Sequence, residues 1–395
     1  MKPNRVYERF VSNWQGMTGL VCIALIGLVA LAGYLITPDD SPHANEQHLE
    51  LAAMKPGFKV TMLLVRRNSS ISRKNLLHRL VNGTEPEYRF VPVKQIGFDR
   101  KYLVAVLYDQ DENAAPLTET FLLPDILYPI RPDSACIEQG DSISWVAGNG
   151  VRMKASFSDL QKKVLSGNIK ERKYLLGTDR FGRDLLSRII LGARMSFSVG
   201  FIAVSISLLL GLLLGSIAGY YRGWPDRLVL WLIQVIWSVP TLLMVIAITF
   251  VLGKGFWQVF VAVGLTMWVE VARVVRGQVL SLREKEYVMA AKAIGLSDFG
   301  ILFRHILPNL AGPVIIISAS NFASAILMEA GLSFLGLGVP PPVPSWGSMI
   351  KEHYGYILVH QAYLPMIPGI AIMILVLSFT LAGNALRDAF DTKTV

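Results

Sequence analysis

Cysteine is nearly missing from this 395-residue chain, which holds only Cys22 and Cys136. Cys22 falls inside the first apolar run and Cys136 in the polar segment after it, so a bridge between them would have to form across a membrane surface. That excludes a disulfide framework and leaves two unpaired thiols. Histidine is also sparse: the six are scattered, with His43, His48 and His78 in that same polar segment and no complete set of Cys or His metal ligands around them. The chain also lacks G-x-x-x-x-G-K-[ST], H-E-x-x-H and a nucleophile elbow. No catalytic constellation, metal site or cofactor site emerges, so the chain does not read as an enzyme. Charge is scarce as well. With 17% charged residues, 52% hydrophobic residues and a mean hydropathy of +0.45, the main solvent of this chain is lipid.

A spanning helix needs about 20 mainly apolar residues. The long uncharged windows predict six, near 15–37, 196–220, 228–252, 256–275, 310–333 and 364–386. Lys2, Arg5 and Arg9 before the first would suit a signal peptide, but its apolar part, Met17 to Ile36, outruns a signal core and no small-residue cleavage site follows. It reads as a retained anchor. If the N-terminus is cytoplasmic, the inside segments hold Lys2, Arg5, Arg9, Arg222, Arg227, Arg273, Arg276, Arg283, Lys285, Lys292, Arg304, Arg387 and Lys393, whereas the two short outside loops hold Lys254 and Lys351. The bias in basic residues predicts a multi-pass protein with both termini cytoplasmic. Most other basic residues lie in one large outer segment that this rule does not govern, so the net charge of +9 does not argue for nucleic acid.

Three domains follow: 1–37, the N-terminus and first helix; 38–175, an extracytoplasmic insertion; and 176–395, a helical core. The insertion reads as β-rich, from "FKVTMLLV" (58–65), "YRFVPVKQI" (88–96) and "KYLVAVLY" (101–108), with "GFDR" as a hairpin connection. "LLPDILYPIRPD" (122–133) reads as an extended connector, and 152–176 as a polar helix leading back to the membrane. The insertion is either a docking surface for an external partner or a spacer. The sequons at 68–70 and 82–84 carry no assignment.

Without a nucleotide site of its own, a transporter of this kind takes energy from an ion gradient or from a partner. A gradient-driven secondary transporter needs ionisable groups within the membrane. The candidates are Glu270, with Arg273 three residues on and close enough to pair, and Glu329, which divides between a structural role and lining or gating a path. Gly200, Gly211, Gly215, Gly219 and Gly264 read as close-packing contacts. Trp14, Trp224 and Trp346 read as interfacial aromatics.

Between the fourth and fifth runs lies "EYVMAAKAIGLSDFGILFRHILPN" (286–309). "EYVMAAKAI" is a helix former ending at Gly295, a natural left-handed C′ residue, and Ser297 can cap a second helix in which Phe299, Leu302, Phe303, Ile306 and Leu307 share an apolar face. A helix lying in the headgroups would look similar. The spacing, however, resembles the EAA loop of ABC-importer permeases, with Ala290, Ala291 and Gly295 on the motif, Pro308 on its closing Leu-Pro, and Met289 where the family carries Glu. "LGTDRFGRDLLSRIILGARMS" (176–196), "EAGLSFLGLGVPPPVPSWGSMI" (329–350) and "NALRDAFD" (384–391) are similar to segments of the C-type subunit of the oligopeptide, dipeptide and nickel importers.

That resemblance, over roughly 176–391, implies an all-α polytopic protein of the type I ABC-importer permease fold, six transmembrane helices with the β-rich domain inserted between the first two. It implies a peptide importer in the cytoplasmic (inner) membrane, with nickel or another small nutrient as the alternative cargo. The implied partners are a second, B-type permease subunit, two ABC ATPase subunits carrying the ATP and Mg, and an extracytoplasmic substrate-binding protein. The coupling loop would be 284–309, touching the ATPase through Ala290, Ala291, Gly295, Leu296, Phe299, Phe303 and Pro308. Glu329, Asp179, Arg183 and Asp184 are candidates for a gate or pathway, although Gly177-Thr178-Asp179 can equally be a turn, with Arg183, Asp184 and Arg188 a locally paired surface.

Overall fold

The computed structural model describes residues 3–390 apart from 69–74, 112, 132–135 and 254. Lys2, Lys254, Lys393 and most of the first sequon therefore lie outside the described residues. The chain divides into two compact units. One is a helical unit, Leu191–Gly355 with the chain up to Leu31 and from Pro365 on; the other is Ala32–Ile190 with Tyr356–Leu364.

The chain opens with α1 (Pro3–Ser12) and the apolar α2 (Trp14–Ile36). Five strands of the inserted unit, β1 (Phe58–Arg66), β2 (Tyr88–Asp99), β3 (Tyr102–Leu107), β4 (Thr118–Leu122) and β8 (Ile169–Tyr174), form an antiparallel sheet in the order β4-β3-β2-β1-β8. β5 (Ile137–Gln139), β6 (Ser142–Val146) and β7 (Arg152–Ser156) form a second antiparallel sheet. Short helices α3 (Leu76–Asn82), α4 (Leu123–Leu127) and α5 (Phe157–Lys163) join them. The central strand β1 is covered on both faces. Leu63 and Val65 pack with Val91, Leu103, Trp145 and Leu160, while Val60, Met62 and Leu64 pack with Leu51 and Tyr174. Double burial is why "MLLV" reads as a continuous apolar run without alternation.

Three local expectations are corrected here. The hairpin between β2 and β3 turns at Arg100-Lys101, where Asp99 pairs with Tyr102 and Arg100 takes φ +46, so Gly97 to Asp99 belong to the strand. The 122–133 segment contains α4, with Pro124 in its first turn, where a missing N–H costs nothing. The stretch 152–176 is β7, α5 and β8, not one helix. Ser156 Oγ accepts from the Asp159 amide to cap α5, and "IKERKY" pairs with β1 as an edge strand whose charged side chains are mainly exposed.

The helical unit is built from α6 (Leu185–Tyr221), α7 (Gly223–Trp237), α8 (Thr241–Leu252), α9 (Phe256–Arg283), α10 (Glu286–Ala293), α11 (Asp298–Ile301), α12 (Ala311–Leu335), α13 (Trp346–His353) and α14 (Tyr363–Phe390). Among the described residues five helices are long and apolar enough to span, and a sixth span requires α7 and α8 to be counted together. The expected continuous helix at 228–252 is overturned, because α7 and α8 meet at 94°. Pro240 brings no amide to continue the ladder and pushes Val239 out of helical geometry. In α9, 67% of the apolar window is buried, against 22–39% in the other four, which makes it the central helix. Trp346 is 2% exposed, contrary to an interfacial position, and a Cβ on Gly192 would lie 2.6 Å from its ring, whereas Trp14 and Trp224 are exposed.

Under the large sheet, Arg172 reaches Glu46 at 2.7 Å with its guanidinium over the Phe90 and Tyr174 rings. Burial, then the Arg172 charge, lowers the pKa of the adjacent His48 from 6.5 to about 4. His48 is thus neutral in the fold and takes up its proton more readily in the unfolded chain. Its contribution, up to about 3 kcal/mol, is complete above pH 6.5 and is lost as pH falls toward 4. Burial raises Glu46, which acts in the opposite direction above its ordinary range. The difference between wild type and His48→Phe isolates the histidine. Hydrogen exchange of β1 and β8 amides in the full chain should show wild type losing protection relative to that variant between pH 6.5 and 4, and parallel profiles would contradict the assignment.

Candidate functional site

The loop after α9 carries a cluster of exposed apolar side chains on a packed frame. α10 ends in a motif in which Gly295 sits at φ +89, its amide donating to Lys292 O (3.1 Å) and the Leu296 amide to Ala291 O (3.1 Å). Ser297 Oγ accepts from the Gly300 amide and starts α11, which continues through a π turn (Leu302–Ile306) and a 3-10 turn (Leu307–Leu310) into α12. Val288, Ala291, Ile301, Leu302, Ile306 and Leu310 are buried against Tyr220, Val271, Val275 and Val279. The Tyr220 hydroxyl donates to Asp298 Oδ1 at 2.6 Å, and Arg283 donates to the Tyr220 carbonyl. Neither short helix can tilt independently of the ends of α6 and α9.

On the outer side of this frame Met289, Ile294, Leu296, Phe299 and Phe303 are exposed, and the Phe299 and Phe303 rings pack with centroids 4.2 Å apart, tilted by 33°. Large apolar side chains held in the open by a fixed backbone mark an interaction surface. Of the residues expected to make contacts, Ala290, Gly295, Leu296, Phe299, Phe303 and Pro308 lie on this surface. Ala291 does not. It is 7% exposed, and its side chain holds α10 to α9. The expected apolar face also divides, with Leu302 and Ile306 inward and the two phenylalanines outward. The sequence reading missed Met289 and Ile294 as surface knobs, although the place of Ile294 directly before the C′ glycine was an available signal.

The second group, Asp179, Arg183 and Asp184, is locally paired but is no surface. Asp179 accepts from Arg183 Nε at 2.5 Å and lies 3.5 Å from Arg188 Nε, with all three at most 3% exposed. Asp184 accepts from both the amide and the hydroxyl of Ser187, while burial raises its pKa. The loop is clamped from 48–54: Met54 N donates to Thr178 Oγ1, Ala53 N to Asp179 O, and His48 N to Phe181 O. Gly182, at φ +71, has no room for a side chain because a Cβ would lie 1.7 Å from His48 O. Gln361 and the Tyr363 hydroxyl donate to the carbonyls of Ala53 and Met54 from the other side.

Glu329 is 1% exposed, and its carboxylate accepts from Ser333 Oγ at 2.6 Å. Ser333 in turn accepts from Ser345, whose side chain and amide form the capping box of α13 with Ser348. Glu329 thus ties α12 to the turn before α13, and a part in any path would require that turn to open. The expected Glu270–Arg273 pair is absent among the described residues: the Arg273 guanidinium stacks over Trp237, 4.7 Å from its centroid. Glu270, Arg273 and Gln278 line a groove of about 590 Å³ that shares Val274, Gln278 and Ile317 with one of about 510 Å³ on α12 and α14.

Residues 211–395 match the family of binding-protein-dependent transport system inner membrane components. The dipeptide transport system permease protein DppC of Alkalihalophilus pseudofirmus is 42% identical over 221 residues, 56% of this chain and 72% of that one. The oligopeptide permease OppC of Bacillus subtilis is 39% identical over 56% of this chain and 72% of its own length. The glutathione permease GsiD of Pectobacterium atrosepticum is 39% identical over 55% of this chain and 72% of its own. The chain belongs to this permease family. It is an integral membrane permease with a mostly helical fold of the type I importer class, carrying two additional small sheets.

In this permease Asp179 is the counter-charge for two buried guanidinium groups. Asp179→Ala should destabilise the chain by about 3–5 kcal/mol, because it removes the buried carboxylate that accepts from Arg183 and faces Arg188. The joint change Asp179→Leu with Arg183→Met should cost less. Thermal unfolding in detergent checks the order, and a double variant less stable than Asp179→Ala would contradict it.

Proposed function

We propose that this permease is the C-type membrane subunit of an ATP-driven importer of di- or oligopeptides. The cargo class is supported by the relatives at about 40% identity, named as dipeptide, oligopeptide and glutathione transport permeases. The observation that carries the coupling is the closely packed Phe299–Phe303 pair, exposed on a helix-turn-helix fixed from behind. An ATPase cleft is the partner that this shape suits. The pair also stands next to α12, which lines the polar grooves, so a push on the loop bears directly on a groove wall.

A second, B-type permease completes the membrane core, two ATPase subunits bind ATP and Mg below it, and a substrate-binding protein delivers cargo outside. The subunit performs no catalysis itself. The basic residues at 222–227, 273–304 and 387–393 support a cytoplasmic loop 284–309 and cytoplasmic termini in the inner membrane. The inserted domain 38–175 faces outward, where it can meet the binding protein, and 176–395 carries the transport core. Glu329, and the turn of Asp179, Arg183 and Asp184 before α6, are the candidates for a gate or pathway.

Two substitutions separate the surface from its frame. Phe299→Ser with Phe303→Ser should leave the permease folded and inserted, yet lower ATPase co-purification and peptide uptake by about tenfold or more, in the range of aromatic anchors at interfaces. Ile301→Ala, buried on the opposite side, should instead cost about 2–5 kcal/mol of stability. A doubly substituted chain that still captures its ATPases and imports at the wild-type rate would remove the coupling role from this loop.

A further inference from the structure

Glu270 stands at the midpoint of α9, and its carboxylate has no hydrogen-bond or ion-pair partner among the described residues. Arg273 opens the basic, cytoplasmic end of this span, so Glu270 lies about one turn inside that end, where an ionised carboxylate still has to face water, another charge or a partner. Its obvious neighbour is already engaged. Arg273 lies one turn on, where an (i, i+3) pair would form, but it is held over the Trp237 ring at the end of α7. The break at Pro240 is what ends α7 there, so the bent pair draws the arginine away and leaves the carboxylate unneutralised.

α9 is also amphipathic in the wrong sense for a lipid-facing helix. Val263, Met267, Val271, Val275 and Val279 are buried, while Glu270, Arg273, Gly277 and Gln278 form an exposed stripe at helical spacing. At Gly277 an added Cβ would meet nothing within 4 Å, so the stripe borders open space. The polar lining continues on neighbouring helices through Ser320, Thr380, Asn384 and Arg387. A concave, continuous surface that mixes these polar groups with Val274, Ile316, Ile317 and Phe379 suits a passage for a peptide better than a flat helix contact.

We propose that Glu270 is the group that receives the positively charged amino terminus of the cargo as it crosses the membrane. This rests on the peptide reading above. A peptide brings an ammonium group that sheds water in the passage, and the Glu270 carboxylate, near the cytoplasmic end of the span, offers a charge-assisted hydrogen bond in its place. Trp237 and Arg273 keep that carboxylate available between transport cycles. Glu270 acts as a specificity residue, distinct from the loop that meets the ATPase.

The test uses the assembled transporter in membrane vesicles with saturating binding protein, and a ladder of short oligo-alanines with free or acetylated amino termini. The ratio of free to acetylated uptake should fall about tenfold in Glu270→Gln relative to wild type, the scale of one charge-assisted hydrogen bond, and Glu270→Asp should restore much of it. Any preference of the binding protein is common to all variants and cancels. An unchanged ratio in Glu270→Gln overturns the proposal. So does wild-type uptake of free peptides by that variant when every acetylated peptide is refused, and so does loss of the partner permease from it on purification, which would make the carboxylate an interface charge. If wild type imports none of the free peptides, the cargo reading itself falls and this inference with it.

Discussion

The helical unit depends on how closely α6 can lie against α9. Gly211, Gly215 and Gly219 recur every fourth residue along one edge of α6. A Cβ on them would sit 2.4 Å from Val271 Cβ, 2.6 Å from Ala272 O and 2.8 Å from Arg276 O. Between apolar helices in lipid there is little hydrophobic drive to associate, so close van der Waals approach supplies much of the attraction. This contact turns the valine face of α9 inward, toward α6, α12 and the loop frame. Because a helix has only so many faces, the same rotation presents Glu270, Arg273 and Gln278 on the other side. Arg276, lying between, closes a two-point ion pair with Asp226 of α7 and fixes the near end of the bent pair.

In the inserted unit buried charge takes the place of a disulfide. Glu46–Arg172 is largely and Asp179–Arg183 fully enclosed, and Asp179 also faces Arg188. Pairs of this kind add little net stability compared with a well-packed apolar core, but a displaced partner leaves a naked charge, so alternative arrangements are strongly penalised. The backbone turn at Gly182 and the carbonyls of 48–54 are held to one register by that penalty. A loop that looks hydrophilic in sequence is consequently among the least exposed parts of the molecule.

These two features explain what could be read from the sequence and what could not. The spans, the β-rich insertion, the stop at Gly295 and the cap at Ser297 were legible because each has a local cause: apolar length, β-branched runs, a left-handed residue, a hydroxyl before a helix. The packing glycines were legible from their spacing. The burial of Asp179, Arg183 and Arg188 was not, since a stretch as rich in charge as "GTDRFGRD" looks solvated until the 48–54 segment is known to cover it. The break at Pro240 was visible as a residue, but a hydropathy window averages across it. Ala291 looked like contact surface because the motif it belongs to is described by residue type, while inward and outward positions are set by tertiary packing on α9. Glu270 and Arg273 looked paired because spacing alone cannot include Trp237, thirty-odd residues upstream.

The continuity of α11, the π turn, the 3-10 turn and α12 limits how a force on the loop can be dissipated. A flexible linker would let Phe299 and Phe303 move while α12 stayed still. Here no such linker exists between them: Ile301, Leu302, Ile306 and Leu310 are each seated against α9, and the chain enters α12 without leaving helical geometry. The loop, α12 and the lower half of α9 therefore move together or repack as a set, which is the behaviour of a discrete switch and not of a continuously deforming tether. α12 contributes Pro313, Ile316, Ile317 and Ser320 to the groove, and at its far end Glu329 holds the turn before α13. The aromatic pair, the groove and the Glu329–Ser333 contact thus lie in order along one continuous helical path, so the coupling proposed for the loop needs no hinge between the first of them and the last.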